Sequence, residues 1–301
     1  MKKTLYTIAS ILLLQVNAIQ AQTQTIGIKA PTFVRPLVER WIAEYQKTDN
    51  SLDFSFTQTK QDNTISFVVS SAQQENSDIN STFYFGRYAI VPFTSKDSEA
   101  AELIAKKPLN DKRIKRIFFI KDDISDEKEE KIESQLHIYT GNNSLSVSRP
   151  YAARYKLTAA DYKGKRISGD DKYLPQAVGK DPLGIGLAAL PNIYDLSSRQ
   201  LKPEIQLASL DTDKKSEQAL RSSLDDLLQQ LEEHEITGID VEKFGINVKH
   251  LTPELRKFIT WVLQEGDSYL HEYGLLTLSQ KDAIAQLHNL GTEELARVEN
   301  K

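Results

Sequence analysis

The chain has 301 residues, with 38 Lys and Arg against 42 Asp and Glu, a formal net charge of −4, and no cysteine. The missing cysteine excludes disulfides, thiolate metal sites and an N-terminal lipid anchor. The acidic balance argues against nucleic acid, which favours a basic footprint, while the length suffices for two lobes of ordinary domain size.

In chain order, Lys2 and Lys3 precede an apolar run, Leu5 to Val16, followed by small residues at Ala18 and Ala21. This is the pattern of a cleavable export signal over residues 1–21, with an uncleaved anchor as the alternative. Its removal moves the net charge from −4 to −6. No second run of membrane length follows, so the mature chain is expected to be soluble.

Thr25–Lys29 reads as a first strand. Val34 to Gln46 carries apolar residues at helical spacing (Val34, Leu37, Val38, Trp41, Ile42, Tyr45), with Thr32 placed to cap it. Leu52–Phe56 and Thr64–Val69 read as strands, Ser71 to Ser81 as a loop, and Thr82–Phe93 as a β-rich aromatic run. Short helices are predicted over Ser98–Lys106 and after Asn110, where Ile114, Ile117 and Phe118 share a face. Asp122–Gln135 is a charge-dense, solvated stretch.

Leu136–Tyr139 is a short strand, and a helix is predicted from Ser148 or Arg149 to Tyr155. Gly184–Leu190 reads as a buried strand and Ile205–Ser209 as another. Ser216–Glu235 predicts one amphipathic helix with Leu220, Leu224, Leu227, Leu228 and Leu231 on its apolar face. Thr252 and Pro253 open a helix running towards Gly274, and Ser279–Arg297 closes the chain as a helix. Alternating strands and helices predict α/β lobes with mostly parallel sheets. Ligands in such sheets sit at the carboxyl ends of strands.

Three stretches carry a family resemblance: IGIKAPTFVRPLVERWIAEY (Ile26–Tyr45), KPLNDKRIKRIFF through IYDLSSRQL, and LRKFITWVLQEGDSYLHEYGLLTLS (Leu255–Ser279). The most specific piece is KGKRISGDDKYL, which opens Lys163–Leu201. Together they resemble phosphate-type periplasmic substrate-binding proteins of ABC transporters, in particular a Bacteroidetes-like branch. The resemblance implies a type II periplasmic binding protein fold, with two α/β lobes joined by two crossing segments near Tyr88–Thr94 and Ile205–Asp211. On this sequence, 22–93 and 211–301 would form lobe I and 94–210 lobe II. It also implies a periplasmic, non-enzymatic monomer that hands a small oxyanion, phosphate foremost, to an inner-membrane ABC permease.

The family holds its anion with N–H and hydroxyl donors at loops facing the cleft. Carried onto this chain, these are Thr32 and Phe33 in the first lobe, and Thr140, Ser146, Ser148 and Arg149 in the second. Arg87 and Tyr88 lie near the first crossing. The pattern departs from the family at Ala30 and Pro31, which replace a donor, and in Thr140–Tyr151, which has no Ser-Gly-Thr. Thr32 is either a ligand donor or a helix cap. Arg87 is either a bidentate anion binder or a salt-bridge partner, and Arg149 either turns inward or lies on the surface.

Asp170–Asp171 reads as a turn with a helix cap. The five histidines (His137, His234, His250, His271, His288) show no metal spacing, no nucleotide or hydrolase motif is present, and no cofactor is expected. Trp41 and Trp261 read as core. The second functional reading is an envelope interaction or sensor protein that keeps the scaffold without its ligand.

Overall fold

A computed structural model of the chain describes residues 24–57, 64–68, 81–120 and 133–291. The export signal, nearly all of the Ser71–Ser81 loop, most of Asp122–Gln135 and the residues after Gly291 lie outside the described residues. The elements run β1 (Gln24–Lys29), α1 (Arg35–Tyr45), β2 (Leu52–Phe56), β3 (Thr64–Val68), β4 (Ser81–Ser95), α2 (Glu99–Lys106), α3 (Asp111–Phe118), β5 (His137–Gly141), α4 (Ser148–Arg154), β6 (Lys165–Ile167) and α5 (Leu174–Gly179). They continue with β7 (Gly184–Ala189), α6 (Leu190–Ile193), β8 (Tyr194–Asp195), β9 (Gln200–Leu201), β10 (Ile205–Leu207), α7 (Lys214–Arg221), α8 (Leu224–Glu233), β11 (Asp240–Val248), α9 (Pro253–Gln264) and α10 (Gln280–Leu290).

One nine-stranded sheet runs β2-β1-β3-β11-β4-β7-β5-β6, with β10 added beside β4. Its two ends are parallel: β1 pairs with β2 and β3, and β5 pairs with β6 and β7. The middle is antiparallel, because β11 pairs with β3 and β4, and β4 pairs with β7 and β10. The expectation of mostly parallel sheets therefore holds only at the two ends. The chain crosses from one parallel group to the other and returns, so the strands that carry it run in opposite directions. β4 does this visibly: Ser81–Ile90 pairs with β11, and Ile90–Thr94 with β7.

Apolar sequence runs become core where expected. Every residue of β7 is buried, and Tyr88 to Phe93 of β4 is enclosed throughout. Trp41 is 0% exposed, sets its edge against Phe85 and stacks on Phe244. Burying a large apolar side chain of this kind contributes roughly 1.5–3 kcal/mol.

Three helices differ from the sequence reading. Ser216–Glu235 is two helices, because the Ser223 side chain accepts the Asp226 N–H and Asp226 reaches back to the Ser223 N–H. That reciprocal cap starts a new helix and outweighs the continuous leucine stripe. The helix from Pro253 stops at Gln264, where Gly266 carbonyl accepts the Trp41 indole N–H at 2.7 Å, and short 3₁₀ turns follow to Gly274. The last helix ends at Leu290, since Gly291 takes the left-handed conformation (φ 66°) that ends helices.

Candidate binding cleft

The first loop follows β1. Pro31 carbonyl accepts the N–H groups of Val34 and Arg35, both at 3.1 Å, which turns the chain into α1. The helix cap is Val34, with no side-chain bond. Thr32 is therefore not spent as a cap. Its hydroxyl donates to Asp170 Oδ2, 138 residues further along the chain. Phe33 is buried and its ring lies 5.1 Å from Tyr88.

The second loop joins β5 to α4 and is tied internally. Asn143 Oδ1 accepts the Leu145 N–H at 2.8 Å, and the Ser146 hydroxyl accepts the Ser148 N–H at 3.2 Å. The Ser148 hydroxyl accepts the Gly141 N–H at 3.2 Å, and its carbonyl accepts the Tyr162 hydroxyl at 2.7 Å. Thr140 is buried, and its hydroxyl has no hydrogen-bond partner among the described residues. Arg149 is exposed, with its backbone N–H donated to Ser146 carbonyl.

A turn after β6 links the two loops. Asn143 Nδ2 donates to Gly169 carbonyl at 2.7 Å. Asp170 caps the following 3₁₀ turn by accepting the Lys172 N–H on Oδ1 at 2.9 Å. Asp171 behaves differently from the capping role read for the pair. It is 5% exposed, and Oδ2 accepts the Val147 N–H at 2.9 Å, at the entry to α4.

Burial raises the Asp171 carboxyl to about 6, against the opposing pull of the Val147 N–H and the nearby Ser146 hydroxyl. Although Ser146 lies close enough to act on it, Oδ1 has no aligned hydrogen-bond partner among the described residues.

Tyr88, packed against Phe33, lies on β4 beside β11. Register places Glu242 opposite Tyr88 and Asp240 opposite Ile90, so these side chains share one face. Burial raises the Tyr88 hydroxyl well above its ordinary range, and Glu242, Asp240 and Asp171 push it further. Burial and the neighbouring Asp240 lift Glu242 to about 7. Asp240 is also raised by burial, although Arg154 Nη1 lies 3.4 Å from its Oδ1. Arg154 Nη2 turns to Asp111 Oδ1 at 3.1 Å. Glu242 and Asp240 were not singled out in the sequence, although the charged alternation at the start of DVEKFGINV marks a half-exposed strand face.

Arg87 lies elsewhere. Its Nε donates to Thr277 carbonyl at 2.7 Å, and its backbone bridges Leu276. Successive strand residues face opposite ways, so Arg87 and Tyr88 cannot both look into the same cleft. The structure thus groups Thr32, Phe33 and Tyr88, groups Thr140, Ser146 and Ser148, and joins the two sets through Asp170 and Asp171. Among the described residues no cluster of three His, Asp or Glu side chains has metal-holding geometry. No described helix is long and apolar enough to cross a membrane.

No family model matches the chain, and no curated protein matches its sequence. Solved structures do match in fold. A possible phosphate binding protein from Planctomyces limnophilus DSM 3776 is 11% identical with a TM-score of 0.50, over 89% of this chain and 98% of that one. A Clostridium perfringens protein solved with bound phosphate, assigned as a phosphate ABC transporter substrate-binding protein, is 12% identical with a TM-score of 0.54, over 85% and 100%. An ABC-type phosphate transport receptor from Vibrio cholerae is 9% identical with a TM-score of 0.52, over 85% and 100%. At these identities the likeness is one of fold. The chain has the type II periplasmic binding protein fold, two α/β lobes joined by crossing segments.

Proposed function

We propose that the chain is an exported, non-catalytic solute-binding protein that captures a small oxyanion, phosphate foremost, between its lobes for an ABC importer. On this reading 22–93 and 211–301 form lobe I, 94–210 forms lobe II, and the cleft lies between the Thr32 and Thr140–Ser148 loops. The observation that carries it is the Thr32–Asp170 contact. A hydroxyl on the β1 side donates to a carboxylate oxygen presented from the β6 side, which is the chemistry by which such a cleft grips an oxyanion oxygen.

Glu242 supports the same reading. Raised to about 7 beside Tyr88, it keeps a proton up to near-neutral pH and can donate it to an oxyanion oxygen. Lobe closure supplies the mechanism, since a ligand that touches both lobes only when closed shifts the open–closed equilibrium.

The second reading, a ligand-free interaction or sensor protein, draws on the acidity of the cleft, where Asp170, Asp171, Asp240 and Glu242 outnumber Arg154. Calorimetric titration and thermal shift of the mature chain with phosphate, sulfate and molybdate separate the two. A saturable anion raises the melting temperature by mass action, and Thr32→Val weakens it. No shift with any of the three at millimolar concentration leaves the second reading standing.

A further inference from the structure

Asp170 is held in place without help from Thr32. Its Oδ1 accepts the Lys172 N–H, the preceding Gly169 carbonyl is tied to Asn143 Nδ2, and the following Asp171 is buried and fixed to the Val147 N–H. The turn is therefore anchored on both sides, and Oδ2 is presented outward to the Thr32 hydroxyl. Thr32, for its part, has no helix to cap. Its loop extends from β1, at the β1–β2–β3 end of the sheet, while Asp170 follows β6 at the β5–β6–β7 end.

We propose that Asp170 is a built-in latch: its carboxylate engages Thr32 when no anion is bound, holds the two lobes together, and must yield that hydroxyl to an incoming ligand. A carboxylate oxygen is an acceptor with the same preference for a hydroxyl donor as a phosphate or sulfate oxygen. The two compete for one donor. A hydrogen bond to an ionised acceptor is stronger than a neutral one, so the anion-free population leans towards closed. The anion pays for that lean through lower apparent affinity, because only the unlatched fraction is competent. The competition with anion rests on the binding reading above; the latch itself does not.

The test uses Asp170→Gly in the mature chain. Glycine is tolerated at a cap at little cost and has no side chain to reach Thr32, so the fold is kept and the latch removed. Thr32→Val breaks it from the other side. The chain has no cysteine, so spin labels at Lys257→Cys and Gln176→Cys, both exposed, report the distance between the two ends of the sheet without background.

In the unliganded protein both variants are expected to shift that distance distribution to longer values. Asp170→Gly is further expected to bind inorganic phosphate roughly tenfold more tightly than the unaltered chain, whereas Thr32→Val, having lost the donor, is not. An unchanged distance distribution in both variants overturns the latch, whatever phosphate does. An opened distribution with no phosphate binding in any protein upholds the latch and removes phosphate as the ligand. Opening without tighter phosphate binding in a chain that does bind phosphate overturns the competition.

Discussion

The carboxyl of Asp171 fills the space where a side chain at Gly141 would begin: a Cβ there would lie 1.9 Å from Asp171 Oδ1 and 2.4 Å from the Ser146 hydroxyl. Strand β5, the second loop and the turn after β6 are therefore packed to one another at this point, and the Val147 N–H bond to Asp171 closes the arrangement.

Gly141→Ala should destabilise the fold by about 1–3 kcal/mol, the usual cost of forcing atoms into a packed interior. Denaturant unfolding reads this as a lower midpoint. Combining it with Asp171→Ala should restore part of the loss, because the two residues share one space. Additive losses would mean that the two do not meet.

Asp171 should make stability fall with rising pH. Its folded carboxyl is raised from 3.8 to about 6. Below 3.8 both states are protonated and the group costs nothing. Between that value and about 6 the unfolded chain ionises first, so stability declines and stays reduced above 6. The full effect is on the order of 3 kcal/mol. The stability difference between the unaltered chain and Asp171→Asn, measured from pH 3 to pH 7, should carry this slope; a flat difference would refute it.

Glu232 acts in the opposite sense. Its Oε1 accepts from His271 Nε2 at 2.9 Å, the Thr277 N–H at 2.9 Å and the Thr277 hydroxyl at 2.8 Å. Although burial opposes ionisation, these bonds together hold its carboxyl near 2, below the ordinary 4.5. Stability from Glu232 is full above 4.5 and lost as pH falls towards 2. His271 is raised by the Glu232 bond, so its share is present below 6.5 and lost as pH rises through the folded value. Glu232→Gln should cost about 1–2 kcal/mol at pH 6, after discount for partial exposure. Thermal melts should show that difference shrinking as pH drops below 4.

Trp41 separates packing from hydrogen bonding. Trp41→Phe keeps most of the ring but loses the bond to Gly266 carbonyl, at a cost of about 1–2 kcal/mol. Trp41→Ala opens a cavity between Phe85 and Phe244 and should cost about 3–5 kcal/mol. Equal losses in denaturant unfolding would show that the ring packing contributes little.

The elements that matched the sequence reading are those with a local signal. The α1 stripe, the Asn110 cap of α3 and the Thr252 cap with Pro253 of α9 are all present. The Ser216–Glu235 break was also legible, since Ser223 and Asp226 have capping-box spacing, but five leucines masked it. Asp170 is a cap as read, whereas Asp171 answers to Val147, 24 residues earlier. The opposed directions of Arg87 and Tyr88 follow from strand alternation alone.

The sequence by itself determined most of the strands and helices and where the buried β7 runs. Those outcomes depend on residues within a turn or two of each other, where periodicity and capping act. The tertiary structure alone decided that Thr32 meets Asp170 instead of capping α1, that Glu242 stands beside Tyr88, and that a carboxyl sits against Gly141. Each of those relationships joins distant parts of the chain through sheet register and loop packing, and the energies that select them come from burial and hydrogen-bond satisfaction in the assembled fold.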